Sequence, residues 1–364
     1  MTEHRAILAL LSIAILIFSL GSLSVLFLTE LWSIKEVNWQ LSNTIFFTYL
    51  FCLLATYFFL DFSLRSVSIN NNFLDDRNFF GPTSKNLITL LFFISTLVLL
   101  VGYTSQAYFP FSNLFLMFIF LTPVMFMAKE KPKIALIFIA ISMVLFFFSG
   151  NRANIFFIFL IFFLCSKISL LRLGSIGIIV LFLMLSISFF RSEEIGDQAL
   201  LFEIFITAFG SEWRDGILAN DMFSKIEIMN AKDFFIKNFI TFLPGWSLFI
   251  SSEQAYESQL QTYLVDNLGL AGLGYTGVRV GMIWESFILF GKNGVIVLGI
   301  ISGGLIYLAQ KLINYGSYFI GSIITIAVIY SLVGFPLYIV SIFGQLIFYY
   351  ILMKFFIVLL VKSK

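Results

Sequence analysis

The chain has 364 residues, of which 60% are hydrophobic and only 12% are charged, and its formal net charge is +2. Soluble domains are about half apolar and about a quarter charged, whereas the mean hydropathy here is +1.01. This composition excludes a soluble globular enzyme, and the near-neutral charge excludes a basic surface for nucleic acid. The sequence therefore predicts an integral membrane protein.

Ten apolar segments are candidates for membrane helices, because roughly 20 apolar residues cross a bilayer. In chain order they are 6–28, 43–60, 87–103, 110–128, 134–149, 153–166, 173–190, 293–310, 317–333 and 338–361. The first resembles a secretory signal, but its apolar run is longer and no cleavage site follows, so we expect an uncleaved anchor. The predicted fold is an all-α polytopic membrane protein with about ten transmembrane helices.

Two places along the chain depart from simple spans. The segments 134–149 and 153–166 are short and are joined by the turn Ser149–Arg152, so we expect this turn to lie below the membrane surface. The apolar segment 281–290 carries Glu285, and we expect a helix at the interface or dipping part-way into the membrane. Both features predict recessed polar groups.

The lysines and arginines of the short connections predict the orientation. One set of connections carries most of them: Arg5, Arg65, Arg77, Lys85, Lys129, Lys131, Lys133, Lys167, Arg172, Lys311, Lys362 and Lys364. The opposite set carries little beyond Lys35 and Arg152. We therefore expect both termini and the polar 61–86 connector to be cytoplasmic. The chain then divides into a bundle of about seven helices over 1–190, a large outward loop of short helices over 191–292, and about three C-terminal helices over 293–364.

Metal, redox and nucleotide chemistry find little support in the sequence. The single histidine is His4, and both cysteines, Cys52 and Cys165, fall inside apolar segments. The stretch Gly272–Gly277 spells G-x-G-x-x-G, but a dinucleotide site needs a preceding strand and a βαβ unit. We expect no metal and no cofactor.

Arginines and carboxylates around the outward loop are the candidate functional residues. The arginines are Arg152, Arg191, Arg214 and Arg279. One guanidinium group can donate hydrogen bonds to two oxygens of the same phosphate. The carboxylates Glu194, Asp197, Glu212, Asp215 and Glu285 are candidates for a general base. Ordinary alternatives remain open: Arg152 and Arg191 as interfacial anchors, Arg214 as part of a surface ion-pair cluster, or the whole set as a transporter gate.

Three stretches together resemble the O-antigen polymerases, the Wzy-type polymerases of oligosaccharide repeat units. Phe148–Arg152 is similar to the family's Ser-Gly-x-Arg turn, and Arg191 closes a span and opens the large loop. The stretch Gly272–Gly294 is similar to the family's Glu-x-Tyr-x-Asn-Phe-Gly-x-x-Gly, with Glu285 in the acidic position and Leu289 where Asn is common. The predicted topology agrees with that family over the full length.

This resemblance implies a GT-C-like, metal-independent glycosyltransferase in the bacterial inner membrane, with the 191–292 loop in the periplasm. It would move a growing glycan from undecaprenyl diphosphate to the non-reducing end of an incoming lipid-linked repeat unit. It implies Arg152, Arg191, Arg279 and Arg214 around the diphosphate, Glu285 as base or as an arginine-orienting group, Glu194 as second candidate for base, and Tyr275 against a sugar. Implied partners are undecaprenyl-diphosphate-linked oligosaccharides, membrane lipids, a chain-length regulator and a flippase.

Two alternative functions remain. The related O-antigen ligases share the architecture but are implied to use a periplasmic histidine, and the only histidine here is His4. A polysaccharide flippase or other transporter predicts more spans and charges buried in mid-span, whereas Lys354 lies near the cytoplasmic end of the last segment. The sequence favours the polymerase.

Overall fold

The computed structural model describes residues 4–28, 38–64, 75–105, 112–150, 152–166, 168–192, 210, 213–217, 281–332, 344, 347–355 and 358–359. Within these residues the secondary structure is helical and no strand occurs. The helices are α1 Arg5–Leu28, α2 Trp39–Ser63, α3 Asp76–Phe79, α4 Pro82–Ser105, α5 Ser112–Ala128, α6 Pro132–Phe148, α7 Arg152–Cys165, α8 Leu170–Ser192, α9 Met282–Asn314 and α10 Tyr318–Leu332. A further helical stretch covers 347–355.

The apolar helices coincide with the predicted segments. Four of those described are long and apolar enough to cross a membrane, over Arg5–Val25, Trp39–Ser63, Ser84–Thr104 and Met282–Asn314. Five shorter apolar helices correspond to α5, α6, α7, α8 and α10. In hydrocarbon a backbone must satisfy its own hydrogen bonds, which a helix does within one segment. The architecture is that of an all-helical protein compatible with a polytopic membrane protein.

Helix α9 contains a break that separates its first nine residues from the rest. Gly291 has φ 62° and ψ −152°, a conformation that interrupts the helix between Phe290 and Lys292. Such a backbone conformation strongly favours glycine, which has no Cβ. The sequence predicted a separate apolar helix over 281–290. The structure instead joins it to the following span through this kink, so that Glu285 lies in the first turn of one long, bent helix.

Helix α9 packs most extensively on α2, and two glycines allow the close approach. An ideal Cβ on Gly299 would lie 2.9 Å from the carbonyl oxygen of Tyr49, and one on Gly303 would lie 2.5 Å from that of Leu53. Glycines four residues apart lie on one helix face and let two backbones meet. The two helices run in the same direction, because the contacts of α9 advance along α2, from Gly299 at Tyr49 to Lys311 at Leu64.

One end of the bundle, called here the basic end, carries Arg5, Lys311 and Lys354. The guanidinium of Arg5 is buried and donates to the carbonyl oxygens of Phe163 at 2.8 Å, of Ile168 at 2.9 Å and of Ser166. These carbonyls lie at or just beyond the end of α7, where the helix dipole favours a cation. The contact fixes the start of α1 against the junction between α7 and α8.

A buried carboxylate joins three distant parts of the chain at the basic end. Asp76, the first residue of α3, accepts a hydrogen bond from the backbone nitrogen of Phe319 at 2.9 Å and another from the Tyr350 hydroxyl. Its Oδ1 lies 3.3 Å from the Lys354 ammonium. Burial raises the pKa of Asp76 above its ordinary value, while the lysine opposes that shift. The Asp76–Lys354 pair therefore explains the charge at position 354.

The 61–86 stretch, predicted as a polar connector, contains helical residues in its described parts, 61–64 and 75–86. Helix α2 continues to Ser63, α4 begins at Pro82, and α3 lies between them. The exposed Asp75–Arg77 pair closes at 3.1 Å beside Gly316. Its hydrogen bonds hold the pKa of Asp75 below its usual range against the opposing effect of partial burial. Asp76, buried in the bundle, anchors the segment.

Candidate functional site

The opposite end of the bundle, called here the Glu285 end, brings part of the large loop onto the helices. Residues 213–217 form a short helical turn. The indole nitrogen of Trp213 donates to the Ser42 hydroxyl at 3.2 Å, and its ring lies 5.5 Å from that of Trp284. Gly210 meets the backbone of α1 at Gly21. The described part of the loop, residues 210 and 213–217, therefore packs on α1, α2 and α9 together.

Glu285 directly follows Trp284 of this contact. It is in the first turn of α9, only 7% exposed, and its Oε2 is buried without a hydrogen-bond partner among the described residues. The Nε1 of the adjacent Trp284 is likewise buried and unpartnered. An unsatisfied buried polar group costs about 1–3 kcal/mol, and more for a charged group. Such an arrangement is expected where a substrate supplies the missing partner.

The Arg214–Asp215 pair lies on the turn that packs against Trp284, the residue before Glu285. Their ion pair closes at 2.7 Å, with a second contact from the arginine Nε at 2.8 Å. Asp215 is buried and Arg214 is largely enclosed. An ideal Cβ on Gly216 would lie 2.8 Å from Cβ of Trp284, so the backbone after the pair rests directly on the residue before Glu285. Arg214 and Asp215 are thus packed in the structure, unlike the alternative of a surface ion-pair cluster.

The helices that carry Arg152 and Arg191 converge on the same end. Helix α7 ends at the basic end beside Arg5, so its first residue, Arg152, lies at the opposite end. Helix α8 starts at the basic end and reaches Arg191 at its penultimate position. The side chains of these two arginines lie outside the described part of the structure. The backbone of both arginines lies at the same end of the bundle as Glu285.

The short α7 supports a recessed position for Arg152. With 14 residues, it spans about 21 Å at 1.5 Å per residue, against a hydrocarbon thickness of about 30 Å. Its N-terminus and that of α9 both face the Glu285 end. The amides and dipole of a helix N-terminus attract anions. The N-termini of α7 and α9 therefore favour an anion locally at this end.

Some predicted site residues cannot be placed. Glu194, Tyr275 and Arg279 lie outside the described residues. The sequence interpretation also overlooked Trp213, Trp284 and Ser42, which form the contact that seats the loop. One sequence feature could have pointed to them: Trp213 directly precedes Arg214, and Trp284 directly precedes Glu285. Nothing in the sequence indicated that the two would meet.

Among the described residues, no group of three His, Cys, Asp or Glu side chains could hold a metal ion. Cys165 is buried beside Ser322, far along α7 from Arg152, and Cys52 packs against Gly299. What the Glu285 end offers is a buried carboxylate, an arginine–aspartate pair and helix N-termini.

The fold and this site define an all-helical, membrane-embedded protein with one charged and partly buried end. Comparison with known proteins found no family model, no curated protein and no solved structure that matches the chain.

Proposed function

We propose that this protein is a glycosyltransferase of the O-antigen-polymerase kind. It would use undecaprenyl-diphosphate-linked oligosaccharides on the outward face of a bacterial inner membrane. The observation that carries the proposal is the buried, unpartnered Oε2 of Glu285, at the end of the bundle where the turn with the Arg214–Asp215 pair packs on Trp284. The sequence resemblance around Ser149–Arg152 and Glu285 supplies the substrate class.

In the proposed reaction, a hydroxyl oxygen of the incoming lipid-linked repeat unit attacks the anomeric carbon of the growing glycan. The bond between that carbon and the diphosphate oxygen breaks, and undecaprenyl diphosphate leaves with the electron pair. Glu285 takes the proton of the attacking hydroxyl, for which its free oxygen atom is suited. The products are the lengthened lipid-linked glycan and the free lipid diphosphate.

Charge that develops on the leaving diphosphate needs preorganised cations. Arg214 is held in a fixed orientation by Asp215 at 2.7 Å. The N-terminus of α9 lies one turn from Glu285, and that of α7 carries Arg152. We propose that Arg152, Arg191 and Arg279 complete the diphosphate site and that Tyr275 contacts the sugar. Glu194 is the second candidate for the base.

The test uses purified protein in detergent and lipid-linked oligosaccharide extracted from source cells that lack this chain. EDTA is present and no nucleotide is added, and products are separated on a gel. We expect a ladder of lipid-linked oligomers. If protein that elutes as a folded species gives no ladder, the proposal is wrong, and lipid flipping in liposomes becomes the next assay.

The variant Glu285→Gln keeps the shape of the side chain and removes the base. General-base catalysis contributes about 10²–10⁴-fold, so we expect at least a hundredfold slower polymerisation with unchanged elution. The matched control is Glu130→Gln, which changes an exposed carboxylate at the turn between α5 and α6, at the basic end. Full activity in Glu285→Gln would remove Glu285 from the mechanism.

A further inference from the structure

A second polar recess lies at the basic end, at the far side of the bundle from Glu285. It is formed where the start of α1 meets the ends of α2 and α9, and its volume is about 150 Å³. Every residue that lines it carries a polar group: His4, Tyr57, Asp61, Tyr307, Gln310, Lys311 and Asn314. The proposed polymerase reaction uses none of them.

Several of these groups are held by contacts within the protein. His4 Nδ1 lies 2.8 Å from the Tyr57 hydroxyl, and the Gln310 amide accepts from the Ala6 nitrogen and donates to Asn314. These contacts tie the first turn of α1 to the end of α9. The wall of the recess is therefore built by the fold, since three helices fix the positions of its polar atoms.

Asp61 and Lys311 are the two charged groups that remain available. Asp61 makes no hydrogen bond or ion pair with any residue the structure describes, although it shares the recess with Lys311. The Lys311 ammonium lies over the Tyr307 ring at 5.6 Å and donates one hydrogen bond, to the Leu64 carbonyl at 3.3 Å. An ammonium has three donors, so it can also bind an anion.

The surroundings of the recess are those of a lipid-facing surface. On the helix turn that carries Asp61, Phe59 is 68% and Phe62 is 84% exposed, and Leu308 of α9 is also exposed. Large apolar side chains exposed on an apolar helix are expected to face acyl chains. A ligand whose polar part enters the recess would place an attached hydrocarbon chain along these side chains.

We propose that this recess binds the headgroup of a zwitterionic phospholipid with a primary ammonium, as in phosphatidylethanolamine. The ammonium binds the Asp61 carboxylate and the tyrosine oxygens, and the phosphate binds Lys311. The recess, with a volume of about 150 Å³, accommodates an aminoethyl phosphate and opens towards the surface that carries the acyl chains. One carboxylate and one ammonium that do not pair with each other match a ligand that carries both charges.

The test is lipid retention by the full-length protein. Protein reconstituted in vesicles with equal amounts of phosphatidylethanolamine, phosphatidylcholine and phosphatidylglycerol is extracted into mild detergent, and bound lipid is quantified by mass spectrometry. We expect phosphatidylethanolamine to be retained about tenfold over phosphatidylcholine. The choline group has no N–H donor, and a charge-assisted hydrogen bond is worth about tenfold or more in affinity.

The variant Asp61→Asn should lose this preference, while Glu130→Gln, at the same end of the bundle, should keep it. Equal retention of the ethanolamine and choline lipids by the unchanged protein would overturn the proposal. So would a preference that survives in Asp61→Asn. Binding of free phosphoethanolamine, measured at millimolar concentration, separates a lipid ligand from a soluble one. If phosphoethanolamine binds and the retained lipids show no preference, the recess binds a soluble zwitterion and the lipid assignment is wrong.

Discussion

Two adjacent glycines of α9 give a matched test of how closely that helix packs on α2. An ideal Cβ on Gly303 would lie 2.5 Å from the Leu53 carbonyl oxygen and 3.0 Å from Cβ of Thr56. On Gly304 the nearest atom, a terminal carbon of Leu60, is 4.0 Å away. The same substitution to alanine therefore forces a methyl group against the backbone at Gly303, whereas at Gly304 the methyl group makes only an ordinary van der Waals contact with the end of a flexible side chain.

The expected free energies of unfolding follow from these distances. In Gly303→Ala the helices must separate by roughly 1 Å, and such overpacking costs about 1–3 kcal/mol. Replacing a glycine by alanine inside a helix returns about 0.5–1 kcal/mol. We expect Gly303→Ala to be destabilised by about 0.5–2 kcal/mol and Gly304→Ala to be as stable as the unchanged protein or slightly more so.

The assay is thermal unfolding in one detergent, followed by tryptophan fluorescence and by the folded fraction on size exclusion. Both variants carry the same added methyl group in the same helix, so differences in helix propensity cancel. Gly303→Ala should melt several degrees below Gly304→Ala. Equal midpoints for the two variants would mean that α9 and α2 are not in backbone contact at this level.

Two further predictions concern the basic end and use the same unfolding assay. Asp76→Asn leaves the Lys354 ammonium buried without its ion pair, and we expect this to lower the free energy of unfolding by about 3–5 kcal/mol. The double variant Asp76→Asn/Lys354→Gln should recover much of that loss, because no unpaired buried charge remains. If the losses of the two single variants simply add in the double variant, the two residues are not coupled. Arg5→Gln removes donors from three carbonyl groups and should cost about 2–3 kcal/mol, while the exposed Arg172→Gln should change the midpoint little.

The candidate site at the Glu285 end could be predicted only in part from the sequence. Glu285 and Arg214 were identified from the sequence as acid and cation beside an outward loop, and the structure places both at one end. Their proximity depends on Gly216 resting against Trp284, a contact between segments about 70 residues apart that no local pattern encodes. The charge of Asp76 was likewise visible, but its burial against Lys354 was not.

The sequence by itself determined the apolar helices. Their positions follow from local composition, because a chain segment in hydrocarbon satisfies its backbone hydrogen bonds within itself. Even the break near Gly291 had a local sign in Gly291 and Lys292 between two apolar runs.

Only the tertiary structure decided which charges meet. The pairing of Asp76 with Lys354, of Arg5 with the end of α7, and of the 213–217 turn with α9 depends on how helices pack. Packing sums many weak contacts between residues far apart in the chain, and these contacts leave no periodic signal in the sequence. The buried carboxylate of Glu285 at the loop contact is a product of that packing.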